Sequence, residues 1–215
     1  MSTPDDPRQR LLETAGRKFA EKGFDATNVR EITEAAGMNV SAVNYHFRSK
    51  EDLYVEAVRH AGRTCMEQTP MPVWPAGVPA ERRLQDFIRS FLTRLLRDDV
   101  PAWHRHLIMR EVADPRPGAC EELVRDFIRP TFELLQDVLS ELTPVGTPPE
   151  TLRLMGGSIV GQCLHYLHGR HVIRLLVGAK EFQSYDIDRL TDHIWRFSLA
   201  AVRGMARDSR QGDRR

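Results

Sequence analysis

A glycine at position 37 separates two short segments of helical periodicity, and no other feature restricts the chain as tightly. Before it, Thr27 is a good helix N-cap, and Val29, Ile32 and Ala36 repeat at helical spacing to give a narrow apolar face. Gly37 supplies the left-handed backbone that a helix stop needs, with no Cβ penalty. After it, Asn39 is placed to cap a second helix whose Val43 and Phe47 lie four apart and face inward. Val40, Ser41, Asn44 and Arg48 then project to the other side. A short helix with small and polar residues outward has the right shape for a DNA major groove. These residues predict a helix-turn-helix; an ordinary αα-hairpin shares the periodicity.

The flanks extend the pattern. Asp6-Pro7-Arg8-Gln9 reads as a helix start, and Leu12, Ala15 and Phe19 continue an apolar stripe towards a stop at Gly23. That helix is expected to pack under the helix-turn-helix and complete a three-helix domain, with Phe24 anchoring the connection. Ser49 and Asp52 predict the start of a fourth helix running to about residue 67. The run Ala36-Gly-Met-Asn-Val-Ser-Ala-Val-Asn-Tyr-His-Phe-Arg-Ser-Lys-Glu-Asp-Leu-Tyr54, with Phe19-Ala-Glu-Lys-Gly-Phe-Asp-Ala-Thr27 in register before it, resembles the DNA-binding domain of TetR-family transcriptional regulators. The resemblance implies phosphate contacts at Thr27, Tyr45, His46 and Lys50, which set register but carry little sequence information. Tyr45 and His46 have packing as an alternative role. Val40, Ser41 and Asn44 are the candidates for base edges, Asn44 reading adenine and Val40 touching a thymine methyl, with Asn39 at the head of the same helix. No arginine stands at a base-reading position, so shape and apolar contacts are expected to outweigh guanine recognition.

Composition narrows the remaining classes. The formal net charge is +1, and residues 1–60 carry 9 Lys/Arg against 10 Asp/Glu, so the strongly basic footprint of many nucleic-acid binders is missing. The motif alone carries the DNA reading. Cys65, Cys120 and Cys163 are widely spaced and form no Cys-x-x-Cys pair, which argues against a disulfide framework or a zinc site and fits a reducing compartment. No apolar stretch approaches the roughly 20 residues of a membrane span, and Met1-Ser-Thr-Pro-Asp-Asp-Pro-Arg8 has no apolar signal core, so a cytoplasmic protein with no membrane partner is expected. Phosphate-binding glycine loops, a Gly-x-Ser-x-Gly elbow and His-Glu-x-x-His are all missing, which excludes the commonest enzyme classes; no cofactor is implied. A helical adaptor without DNA or ligand, or a DNA-binding protein that is not inducible, is the competing reading.

Thr69 to Pro79 holds four prolines and a glycine and breaks regular structure. The rest is helical: Glu81 to Asp98, Pro101 to Ala113, Cys120 to Leu142 with a kink at Pro130, a helix opened by a Thr147-Pro-Pro-Glu150 capping box and reaching His168 or beyond, and Asp186 to Met205. No strand pattern or internal repeat is found. An all-α fold is predicted, with a helix-turn-helix domain over 1–48, a helical ligand-binding and dimerisation domain over 49–206, and a disordered polar tail over 207–215.

Gly156, Gly157, Ser158 and Gly161 would allow close helix approach. The last helix, with Ile194, Trp195, Phe197, Leu199, Ala200, Ala201 and Val202, is apolar over more than one face. The pattern fits burial within one chain and a dimer equally well. The family resemblance implies a homodimer through the last two helices, suited to a palindromic operator on double-stranded DNA. Arg110-Glu111, Asp114-Pro115, Phe127-Ile-Arg-Pro130 and Gly161-Gln162 further resemble the C-terminal domain of the CecR-like branch.

The resemblance implies a pocket for a small-molecule inducer without identifying its lining. Trp103, His106, Met109, Arg110, Phe127, Phe132, Gln162, His165 and Tyr166 mix aromatic walls with polar groups and are the candidates, with core packing as their alternative. His165, His168 and His171 recur three apart, but no acid or cysteine is placed to complete a metal site, and none is assigned. The chain reads as a ligand-responsive repressor released from DNA by a small molecule.

Overall fold

Helix α1 (Pro7–Lys22) begins where the Asp6 carboxylate accepts the Arg8 amide at 3.0 Å and Pro7 fills the first turn, where no amide donor is required. It ends at Gly23, whose φ of +84° lets the chain reverse. This is a computed structural model, and it describes residues 6–97 and 101–212, with side chains described through Met205. All its regular elements are helical. Among the described residues there is no strand.

The described residues gather into two packing units. One joins the chain through Gln68 to the stretch ending at Arg129; the other joins Thr69–Arg97 to the chain from Pro130 onward. The first unit holds α1, α2 (Val29–Ala35), α3 (Ser41–Phe47), α4 (Lys50–Gln68), α6 (Trp103–Ala113), α7 (Ala119–Leu123) and a π-helical turn (Val124–Ile128). Its core takes Leu11, Phe19, Ile32, Val43, Phe47 and Leu53 from the N-terminal helices, and Leu107, Ala119 and Leu123 from α6 and α7. Each fully buried leucine or phenylalanine contributes about 1.5–3 kcal/mol. Packing thus groups α4, α6 and α7 with the helix-turn-helix, a division other than the one drawn at residue 48. Two glycines permit the close approach: a Cβ on Gly16 would meet the Trp103 ring at 2.2 Å, and one on Gly62 would meet Phe127 at 2.6 Å.

The second unit packs α5 (Ala80–Leu96), α8 (Arg129–Leu142), α9 (Pro149–His168) and α12 (Ile187–Gly212) around Leu84, Phe87, Ile88, Leu92, Leu139, Ile159 and Ile194. The Trp195 indole donates to the Glu81 carbonyl at 2.9 Å, tying α12 to the start of α5. Cys163 lies in this core, and burial pushes its thiol up to about 12.

The kink expected at Pro130 falls beside a π-helical turn; proline lacks the amide and crowds the carbonyl four residues back, and the widened turn relieves both. Three expectations are corrected. Thr147 does not cap α9: with Pro149 in the first turn the cap position falls on Pro148, and the Thr147 hydroxyl donates to the Pro144 carbonyl at 2.7 Å. Two helices unforeseen from the sequence, α10 (Arg170–Val177) and α11 (Ala179–Phe182), fill the connection before α12. The last helix continues to Gly212 instead of giving way to a disordered tail at 207; residues 213–215 lie outside the described residues, as does Asp98, the expected end of α5.

His60 on α4 and His104 on α6 lie 5.6 Å apart by ring centroid, with Trp103 stacked on His104 at 3.8 Å. Burial lowers the pKa of both; Arg63 adds to the lowering at His60, and His60 itself adds to it at His104, while Glu13 opposes it at both. The unfolded chain therefore binds protons near pH 6.5 that the folded chain still refuses, so stability is greatest above that value and falls as the pH drops through the folded pKa values. Urea midpoints measured between about pH 7.5 and 5 are expected to decline on acidification, and a His60→Gln/His104→Gln double variant to show a flatter profile.

Candidate nucleic-acid interface

Asn28, and not Thr27, caps α2: its side chain accepts the Glu31 amide at 2.8 Å. Thr27 is buried, and its hydroxyl donates to the Gly23 carbonyl at 2.7 Å, locking the turn after α1. That commitment removes its side chain from the exposed face. Ile32 and Ala36 hold α2 on the core. Gly37, at φ +66°, turns the chain, and the Met38 amide donates back to the Thr33 carbonyl at 2.8 Å. Asn39 accepts the Ser41 amide at 3.2 Å, which settles the first turn of α3.

Val43 and Phe47 fix α3 on the core, and the Arg8 guanidinium lies 4.6 Å from the Phe47 ring centroid. The remaining face is open. Val40 is 48% and Tyr45 84% exposed, and Asn39, Ser41, Asn44 and Arg48 are exposed beside them. Among the described residues the side chains of Ser41, Asn44 and Arg48 have no hydrogen-bond partner. His46 is half-buried and meets the Tyr45 ring edge-on at 4.8 Å. Arg48 adopts φ +70°, a conformation that strains any residue with a Cβ. It adds an exposed cation to that face, and its position directly after the buried Phe47 marks a helix end facing solvent.

Lys50 is held differently. Its ammonium lies 4.2 Å from the Phe24 ring centroid, and the Arg116 guanidinium lies 4.5 Å from the same ring. Phe24 in turn meets Tyr54 edge-on at 5.2 Å. The Tyr54 hydroxyl donates to the Glu111 carboxylate at 2.6 Å, and the other Glu111 oxygen accepts the Arg116 amide at 2.8 Å. Glu111 is wholly buried, and burial is the main cause that pushes the Tyr54 phenol well above its ordinary range. Arg116 also pairs with Asp25. The start of α4, from which Lys50 projects, is thereby braced by α6 and the turn after it.

The nine ligand candidates are divided between the two units. In the first unit, Trp103 lies on Gly16, Phe127 lies on Gly62, Arg110 donates to the Glu21 carbonyl at 3.3 Å, Met109 is half-buried and His106 is exposed. In the second, Phe132 packs over Gly156, Gln162 donates to the Ser158 carbonyl at 3.3 Å and His165 is exposed. Tyr166 borders a cavity of about 810 Å³. Among the described residues no three His, Cys, Asp or Glu side chains gather to hold a metal ion, and no helix is long and apolar enough to cross a membrane.

A bundle that presents a second helix of this kind is the architecture of a helix-turn-helix transcriptional regulator, and the family described as bacterial regulatory proteins, tetR family, matches residues 11–57. A second family, the C-terminal domain of the HTH-type transcriptional dual regulator CecR, matches residues 80–202. The chain belongs to the tetR family of regulators, in the branch that carries the CecR C-terminal domain. The dual regulator CecR of Shigella flexneri is 24% identical over 189 residues, 83% of each protein. The repressor AcnR of Corynebacterium glutamicum is 41% identical over 56 residues, 26% of this chain and 30% of that one. Among solved structures, a tetR-family regulatory protein from Rhodococcus RHA1 superposes with a TM-score of 0.67 at 17% identity, covering 92% of this chain and 97% of the other, which shows the fold alone. The matched families and these relatives are transcriptional regulators, not enzymes.

Replacing Tyr54 with Phe keeps the packing but strips the buried Glu111 carboxylate of a donor. Unfolding free energy from urea titration is expected to fall by about 1–3 kcal/mol.

Proposed function

We propose that this regulator is a ligand-responsive repressor that binds a palindromic operator as a homodimer in the cytoplasm. The observation that carries the DNA part is the open face of α3, where Val40, Ser41 and Asn44 stand exposed while Val43 and Phe47 hold the helix from behind. Asn44 supplies the paired donor and acceptor that match an adenine edge, and Val40 an apolar surface for a thymine methyl. Tyr45, His46, Lys50 and the strained Arg48 flank them as phosphate contacts, with Asn39 at the head of the helix. Thr27 acts from within, by holding the turn.

The dimer reading rests on two strips of the second unit. Leu154 is 67% exposed on α9, and a Cβ added at Gly157 or Gly161 would meet nothing within 4 Å, whereas Gly156 is covered by Phe132 and Gln136. The small residues therefore divide, one turned inward and the others outward. On α12, Phe197 is 62% exposed, with Ala200, Ala201 and Gly204 beside it. The small and apolar residues that these two strips turn outward suit close packing against a second copy. A ligand in the second unit would favour one of two dimer states, and only by its differential affinity for them, typically about 1–3 kcal/mol.

Fluorescence anisotropy on promoter and scrambled duplexes across a salt series tests the DNA reading. A preference for the promoter that persists at physiological salt is expected, and Asn44→Ala should cost about 1–3 kcal/mol on the promoter while leaving scrambled DNA unaffected. Equal, steeply salt-dependent binding to both duplexes would reject operator recognition. For the dimer, sedimentation of Phe197→Glu should show a folded monomer with weakened promoter binding; an unchanged dimer would place the interface elsewhere.

A further inference from the structure

One side of α9 stays open from Leu154 onward, and the opening follows a heptad rhythm. Leu154, Ser158, Gly161, His165 and His168 are exposed at alternating spacings of four and three. Val172 and Leu175 carry the same alternation into α10. Gly169 interrupts the helix without losing its phase. Its amide donates to the His165 carbonyl at 2.7 Å, and its carbonyl accepts the Ile173 amide at 2.8 Å, both bonds of helical span. The inward side keeps the same rhythm, with Ile159 and Ile173 buried two heptads apart. Helices α9 and α10 therefore present one stripe, small and polar at its centre and apolar at its ends.

The larger apolar end belongs to α10, where Val172 is 58%, Leu175 72% and Leu176 78% exposed. At about 100° per residue these three lie opposite Arg170 and Arg174, which line the cavity beside Tyr166, so a molecule in that cavity would leave the stripe bare. A contiguous apolar patch of this kind marks an interaction surface. Its surroundings identify the partner. The strips that carry the dimer reading consist largely of Gly157, Gly161, Ala200, Ala201 and Gly204, with Leu154 and Phe197 as their large apolar side chains. A stable interface takes about 800 Å² from each partner, and glycine and alanine supply little of it. The α10 face continues the α9 strip in the same heptad phase and brings three more large side chains.

We propose that the α9–α10 stripe is a single dimer seam, closed by a second copy of the chain, with Val172, Leu175 and Leu176 among its principal contacts. The inference rests on the dimer reading above and extends it to α10. That helix then stands between the cavity on one side and the second copy on the other, so cavity and seam share one wall.

Sedimentation velocity of the full chain across a dilution series gives the monomer–dimer dissociation constant. Leu175→Glu/Leu176→Glu is expected to raise it at least about hundredfold, and Leu175→Met/Leu176→Met to leave it within about threefold. Both leucines are exposed in the single chain, so the charged variant should keep its circular dichroism. Hydroxyl-radical footprinting of the wild-type chain needs no substitution. Oxidation of Val172, Leu175 and Leu176 is expected to fall at least about threefold from the dilute monomer to the concentrated dimer. A dissociation constant unchanged by the glutamates, or α10 oxidised equally at both concentrations, would overturn the assignment and leave the face to another occupant. In either case, loss of the dimer on Phe197→Glu would keep the dimer reading itself. A wild-type chain that stays monomeric at about 100 μM would remove both.

Discussion

The buried carboxylate of Glu111 is the constraint on which the first unit depends. A charge in an apolar core is costly unless it is hydrogen-bonded, and here one oxygen accepts from Tyr54 and the other from the Arg116 amide. Those two bonds fix the start of α4 and the turn after α6 against one carboxylate. Arg116 and Lys50 then settle on Phe24, so the aromatic ring behind the helix-turn-helix is gripped by cations from both ends of the contact. The geometry of the exposed face of α3 follows from groups that never reach it.

That face also explains how a chain of nearly neutral charge can serve as a DNA-binding protein. Cations elsewhere on the N-terminal helices are tied to local acids, Arg30 to Glu34 and both Lys18 and Lys22 to Glu31. Exposed pairs of this kind add little stability, but they lower the general attraction to phosphate. Arg48 stands outside them. A protein with few uncompensated cations depends more on shape and on having two copies in register, and less on indiscriminate affinity for the polyanion.

What the sequence reveals is what neighbours along the chain decide. Asp6, Gly23, Gly37, Ser49 and the inward pair Val43 and Phe47 are all legible, because caps, left-handed glycines and i, i+4 spacing act over a few residues. Errors of one residue arise where two capping side chains adjoin, as at Thr27 and Asn28, or where consecutive prolines shift the first turn, as at Thr147. Residue type does not place the ligand candidates: only long-range packing decides whether an aromatic side chain covers a glycine, as Trp103 does, or walls a cavity, as Tyr166 does.

The interleaved assembly of the two units has a consequence for the order in which they are made. A ribosome delivers the chain from the N-terminus at about 5–20 residues per second. Helices α1 to α4 emerge first, yet Leu107, Ala119 and Leu123, which complete their core, follow only after the whole of α5. Helix α5 in turn carries Leu84, Phe87, Ile88 and Leu92, whose partners on α8, α9 and α12 come later still. Along the chain, neither core is complete until part of the other's segment has been made. The nascent protein must therefore carry an unsatisfied apolar stripe through much of its synthesis, and the DNA-reading helices acquire their final footing only when translation has passed α7.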